Sequence, residues 1–142
     1  MMDTVATPEH LEHLRTSARQ ARLAAVSARR LAFDLDRRRE HMVHRDDECR
    51  ARHIPEIWSS ASATRSREEL VHRVGGWLAR SAHSLRDTSV ALEYEARRLE
   101  SVAWSHAQHA DVVERELARD VVVASEDQAT RTRSVSSTSL PG

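Results

Sequence analysis

From Val71 onward the chain returns to the same kind of residue every seventh position. Val71, Leu78, Leu85, Leu92, Leu99, His106 and Val113 form one column, and Gly75, Ala82, Ser89, Ala96, Ala103, Ala110 and Leu117 form another, four residues behind it. Alternating steps of four and three keep both columns on one face of an α-helix, the first at heptad position d and the second at a. Large residues at d beside small ones at a predict a seam that a second helix can approach closely. The chain before Pro55 supplies that helix, with Leu11, Ala18, Ala25 and Ala32 at a and Leu14, Ala21, Ala28, Leu35 and Met42 at d. The expected fold class is all-α, a long antiparallel helical hairpin of coiled-coil type.

The ends of the two helices carry their own signals. Thr7 offers a capping hydroxyl, Pro8 suits the first helical position, and Glu9 sits at the positive end of the helix dipole. The first helix is expected over 8–52, because Pro55 disfavours helical backbone in the residue before it. A connection over 53–65 follows, and Ser66 with Glu69 forms a capping box that opens a second helix over 66–124. At 1.5 Å per residue the two helices would be about 65 Å and about 85 Å long. The serine- and threonine-rich stretch 125–142 has little to bury and is expected to be a disordered tail. One domain over 1–124 is the expected organisation. Gly75 and Gly76 each cost a helix about 1 kcal/mol relative to alanine. Val71 and Leu78 keep the seven-residue phase across them, which predicts a kinked but continuous helix.

Apolar residues also lie off the seam. Leu70, Trp77, Val90, Ala91, Trp104 and Val112 of the second helix, and Val26 and Phe33 of the first, occupy outer heptad positions. These are too many large apolar groups for a solvated face. Burying them against another helix pair would complete a four-helix bundle, by dimerisation or with a partner. The expected interface residues are the seam set Leu78, Leu85, Leu92 and Leu99 and the outer set Trp77, Trp104 and Phe33.

The composition excludes several classes of function. Twenty-two basic residues, all arginine, balance twenty-two acidic ones, so no net field recruits nucleic acid or an acidic membrane. The absence of lysine and asparagine gives an actinobacterial-like composition. A single cysteine, Cys49, excludes an internal disulfide framework, and the acids of "RDDEC" just before it disfavour a reactive thiolate. No phosphate-cradling glycine loop, nucleophile elbow or paired-carboxylate arrangement is present, so neither an enzyme, a cofactor nor a small-molecule substrate is expected. No apolar run is long enough for a membrane span, and the N-terminus lacks the basic start and apolar core of a signal peptide. The cytoplasm is the expected compartment.

Histidine and arginine carry the remaining candidates. Of nine histidines, three pairs are spaced by three residues: His10/His13, His41/His44 and His106/His109. In a hairpin the first and last pairs face each other, which makes His10, His106 and His109 candidates for a pH-sensitive or metal-binding end. Against a metal, His13 falls at an outward position and no Glu-x-x-His spacing accompanies the histidines. A polar seam without metal is the expected state. Arg15, Arg19, Arg22, Arg29 and Arg37 form a stripe beside the seam of the first helix. Arg15, Arg19 and Arg22 are the candidate contacts for nucleic-acid phosphates. The competing expectation is that the stripe pairs with Glu93, Glu95 and Glu100 of the second helix. In the tail, "RTRSVSSTS" places serines after arginines, a pattern favoured by basic-directed kinases.

A helical hairpin with tryptophan at its bend resembles the small WXG100 proteins of type VII secretion. The bend here reads Trp58-Ser59-Ser60, with serine where that family has glycine, and Tyr94 is followed four residues on by Arg98 rather than an acid. The resemblance covers architecture and one tryptophan. It implies a substrate secreted without a signal peptide and encoded beside a partner of similar size, and it carries over no functional residues. The residues themselves favour a non-enzymatic coiled-coil module for protein–protein interaction, self-associating or bound to a helical partner. A nucleic-acid-associated regulator and a WXG100-like secretion substrate are the alternatives.

Overall fold

The computed structural model describes residues 5–52 and 60–137. They form two helices, α1 (Pro8–Arg52) and α2 (Ala61–Ser137), with no strand among them. The first boundary follows from Thr7. Its Oγ1 accepts the His10 amide at 3.1 Å and its carbonyl accepts the Leu11 amide at 3.0 Å, which satisfies two groups of the opening turn. Pro8 then occupies the first helical position, where its missing N–H costs nothing.

Both ends of α2 differ from the sequence expectation. The helix opens at Ala61, ahead of the Ser66–Glu69 box, which therefore lies inside it. Ser60 is the cap: its Oγ accepts the Ala63 amide at 3.1 Å and its carbonyl accepts the Thr64 amide at 2.9 Å. A capping hydroxyl followed by alanines is sufficient to start the helix before the second signal is reached. The expected stop at Pro55 and the Trp58-Ser59 part of the bend lie outside the described residues. At the other end α2 continues through 125–137, where a disordered tail was expected, and only 138–142 lie outside the described residues. No glycine or proline interrupts this stretch. Its hydroxyls fold back on the helix's own carbonyls, as in Ser125 to Val121 at 3.0 Å and Thr130 to Glu126 at 2.9 Å. Every residue from 118 to 137 is exposed, so nothing described packs on this part of α2.

The helices divide into two compact units. One takes α1 to Arg22 and α2 from Glu100, and the other spans Leu23–Leu99. In the first unit Leu14, Ala110 and Val113 form a buried cluster against which Ala6, Leu11 and Leu117 pack. Ala18 and Arg22 share a shallow depression with Ala107 and Ala110, so the two helices meet there as well. In the second unit the buried residues are Ala25 and Ala32 of α1 and Leu78, Ser89 and Ala96 of α2. Antiparallel pairing shows there, because Ser89 meets Ala32 while Gly75 meets Asp46 and Arg50. The Ser89 hydroxyl donates to the Ala32 carbonyl at 3.1 Å, so the one buried polar side chain of the seam among the described residues is satisfied across the interface.

Within each unit the small column is the one most completely buried. Ala96 is 0% exposed and Ala25, Ala32 and Ala103 are 1% exposed. Leu85, Leu92 and Leu99 are only half-buried. Methyl groups on both helices set a short separation, and the leucines then lie along the flank of the contact rather than at its centre.

Gly75 marks the same close approach. α2 passes through Gly75 and Gly76 without interruption, and neither glycine has positive φ. A Cβ at Gly75 would come within 3.2 Å of Arg50 Nη2 and 3.3 Å of Asp46 Oδ1, whereas at Gly76 its nearest neighbour would be Arg80 Nη1 at 3.4 Å. Gly76→Ala is therefore expected to stabilise the fold by about 1 kcal/mol in urea denaturation. Gly75→Ala should gain less than Gly76→Ala, because it must displace the Asp46–Arg50 pair. Equal gains would show that α1 does not crowd Gly75.

Candidate interaction site

The candidate interface residues emerge from heptad geometry, which turns positions b and c away from the seam. In the unit spanning Leu23–Leu99, Phe33 is 63% exposed and Trp77 is 57% exposed. Val26, Leu70 and Val90 are exposed with them. The Arg37 guanidinium lies 6.0 Å from the centre of the Phe33 ring, at the outer limit of a cation–π contact. In the other unit Trp104 is 66% exposed, and Val112 is exposed too. Of the seam leucines, Leu78 is buried, while Leu85, Leu92 and Leu99 keep one side open. The Leu23–Leu99 unit thus carries two kinds of apolar surface without cover, the flank of the seam and the outer positions, and the other unit carries exposed apolar groups at outer positions.

The histidines are partly brought together. His10 and His109 meet edge-to-face, with ring centres 5.4 Å apart. The Nε2 of His10 is out of contact with water and has no hydrogen-bond partner among the described residues. His106 is half-buried on the d column, and His13 faces outward and is exposed. No three His, Cys, Asp or Glu residues converge as a metal cage among the described residues. His41 and His44 are exposed on α1, and His44 Nε2 lies 3.4 Å from Glu48 of the next turn.

The arginine stripe divides. Arg15 donates to Glu114 Oε1 at 2.8 Å, linking α1 to α2 inside one unit. Both side chains are about half exposed, and a pair of this kind contributes at most about 1 kcal/mol. Arg19 and Arg22 are exposed beside it, with Asp111 in the same shallow depression. Glu95, expected opposite the stripe, is instead held by Arg98 of its own helix at 2.6 and 2.8 Å. That hydrogen bond, with the charge of Arg98, keeps the Glu95 carboxyl below its ordinary value. The Arg15–Glu114 link was not read from the sequence.

Among the described residues, no helix is long and apolar enough to cross a membrane. Comparison of the chain with protein-family models, with curated proteins and with solved structures finds no match.

His106 occupies a leucine position with half its surface covered. His106→Leu is expected to raise stability by about 1 kcal/mol, the transfer value of a half-buried leucine, with a matching rise in Tm. A fall in Tm would show that the imidazole makes an interaction the seam needs.

Proposed function

We propose that this chain is a non-enzymatic interaction module whose helix pair associates with a second copy of itself, completing a four-helix bundle. The observation that carries this reading is the distribution of apolar side chains. The buried set consists mainly of alanines, while Phe33, Trp77 and Trp104 are more than half exposed. Burying an alanine methyl is worth about 0.8 kcal/mol, against about 1.5–3 kcal/mol for a large apolar side chain. Most of the available hydrophobic free energy therefore remains unspent within one chain. A helix pair with one thin seam is marginal alone, and helices gain most of their stability from packed apolar faces.

A second copy suits these surfaces because a two-fold contact sets each patch against its own equivalent. It brings the same outer aromatics and the same open leucine flank, at a concentration fixed by the protein's own. Coiled-coil packing at +20° would let the half-covered leucines of one pair enter the spaces between those of the other. Recognition then lies in shape and apolar anchors, with Trp77, Trp104 and Phe33 as the residues expected to dominate the energy. The balanced charge of the chain is compatible with homotypic association, since it sets up no net repulsion. For the nucleic-acid alternative, Glu114 sets a carboxylate beside Arg15, one of its three candidate contacts, which weighs against that reading.

Light scattering on purified protein measures this directly. The mass expected at high micromolar concentration is twice the chain's 16.1 kDa. Trp77→Ala with Trp104→Ala should shift it to the monomer, each substitution costing about 2 kcal/mol of association. A wild-type monomer that binds no second copy would overturn self-association, and a stable complex with a different helical protein would assign the same faces to a heterotypic partner.

A further inference from the structure

The charge of the chain is balanced in total but not in its distribution. The Leu23–Leu99 unit holds fifteen arginines against twelve carboxylates, a net charge of +3. The unit made of Met1–Arg22 and Glu100–Gly142 holds seven arginines against ten carboxylates, a net charge of −3. The two signs cancel over the whole chain, while each unit keeps a field of its own.

The same division runs along α2, around its exposed aromatics. Trp77 lies one helical turn from Arg73 and one from Arg80, and both arginines are exposed. Trp104 lies one turn from Glu100 and two turns from Asp111, on the same side of the helix. One anchor is thus set among cations and the other among carboxylates. The half-buried leucines Leu85, Leu92 and Leu99 lie between the two stretches.

We propose that two copies associate with their α2 helices antiparallel, so that the basic stretch around Trp77 of each lies against the acidic stretch around Trp104 of the other. The proposal rests on the self-association reading and adds its orientation. Leu85 and Leu99 are each seven residues from Leu92, and Arg73 and Asp111 are each nineteen. An antiparallel contact centred at the level of Leu92 therefore sets Leu85 level with Leu99 of the second copy, and Arg73 level with Asp111 of the second copy. A parallel contact would set each of these residues level with its own equivalent, and like charges would then oppose association. Two-fold symmetry is kept, because within a self-complementary patch one residue meets a different one and the reverse contact repeats it. The charges select the orientation, and the apolar anchors supply most of the free energy, since exposed ion pairs contribute at most about 1 kcal/mol each.

Two measurements on the full chain at about pH 8, above the ordinary titration of histidine, test the orientation. Sedimentation equilibrium gives the dissociation constant of the dimer as sodium chloride is raised. Opposite charges in contact predict a rise of at least three-fold between about 50 mM and about 500 mM salt, as screening removes the attraction. A constant that stays level or falls would overturn the orientation. The second measurement is cross-linking with a short bis-maleimide on a Cys49→Ser background, with Ser84→Cys and Ser105→Cys chains mixed in equal amounts. Both positions are exposed on α2. The link between the two different chains is expected to exceed either link between identical chains. Predominance of links between identical chains would overturn the orientation while leaving self-association intact. A monomer at every concentration would overturn self-association, and the orientation with it.

Discussion

The contact of alanine faces along the small heptad column is what the rest of the molecule depends on. Ala25 and Ala32 of α1 and Ala96 of α2 are almost wholly removed from solvent in one unit, as are Ala18, Ala103 and Ala110 in the other. Side chains this short bring the backbones close enough for Ser89 to donate directly to the Ala32 carbonyl. At the diglycine the Asp46 and Arg50 side chains of α1 reach α2, and a methyl at Gly75 would have to shift them slightly. Close packing of this kind gains dispersion contacts over a long strip but buries little hydrophobic area per residue. It fixes the helix spacing well and stabilises the pair only modestly.

Two consequences follow from the short spacing. Of the leucines at d, Leu14 and Leu78 are buried, whereas Leu85, Leu92 and Leu99 lie along the flank and keep one side open. The larger apolar groups, Phe33, Trp77 and Trp104, sit at outer positions that two helices alone cannot cover. A second helix pair would bury both classes at once, so the proposed self-association rests on the packing rather than on any single motif. The same spacing places Arg50 of α1 beside Gly75 of α2.

Much of the fold was legible in the sequence because a seven-residue period has one simple solution. The all-helical class, the start of α1 at Thr7-Pro8 and the passage of α2 through Gly75-Gly76 follow from periodicity and from the side-chain chemistry of capping. The heptad pattern alone did not say which column would be the centre of the contact, since large d residues are ordinarily the buried ones. That depends on the helix separation, which is set by both faces together. The opening of α2 was read too late because two serines, Ser60 and Ser66, offer equivalent caps and only the described helix distinguishes them. The end was read too early, since a polar composition was weighed above the absence of any residue that breaks a helix. Of the candidate site residues, the exposed aromatics were visible from their heptad positions.

The central claim is that the alanine column, and not the leucine column, sets the approach of the helices. Ala96→Leu separates the alternatives most directly, because Ala96 is 0% exposed and in the middle of that column. If alanine sets the spacing, the added side chain wedges the helices apart, and urea denaturation should show a loss of about 1–3 kcal/mol. A gain in stability would mean that the position has room for a leucine, and would contradict the account.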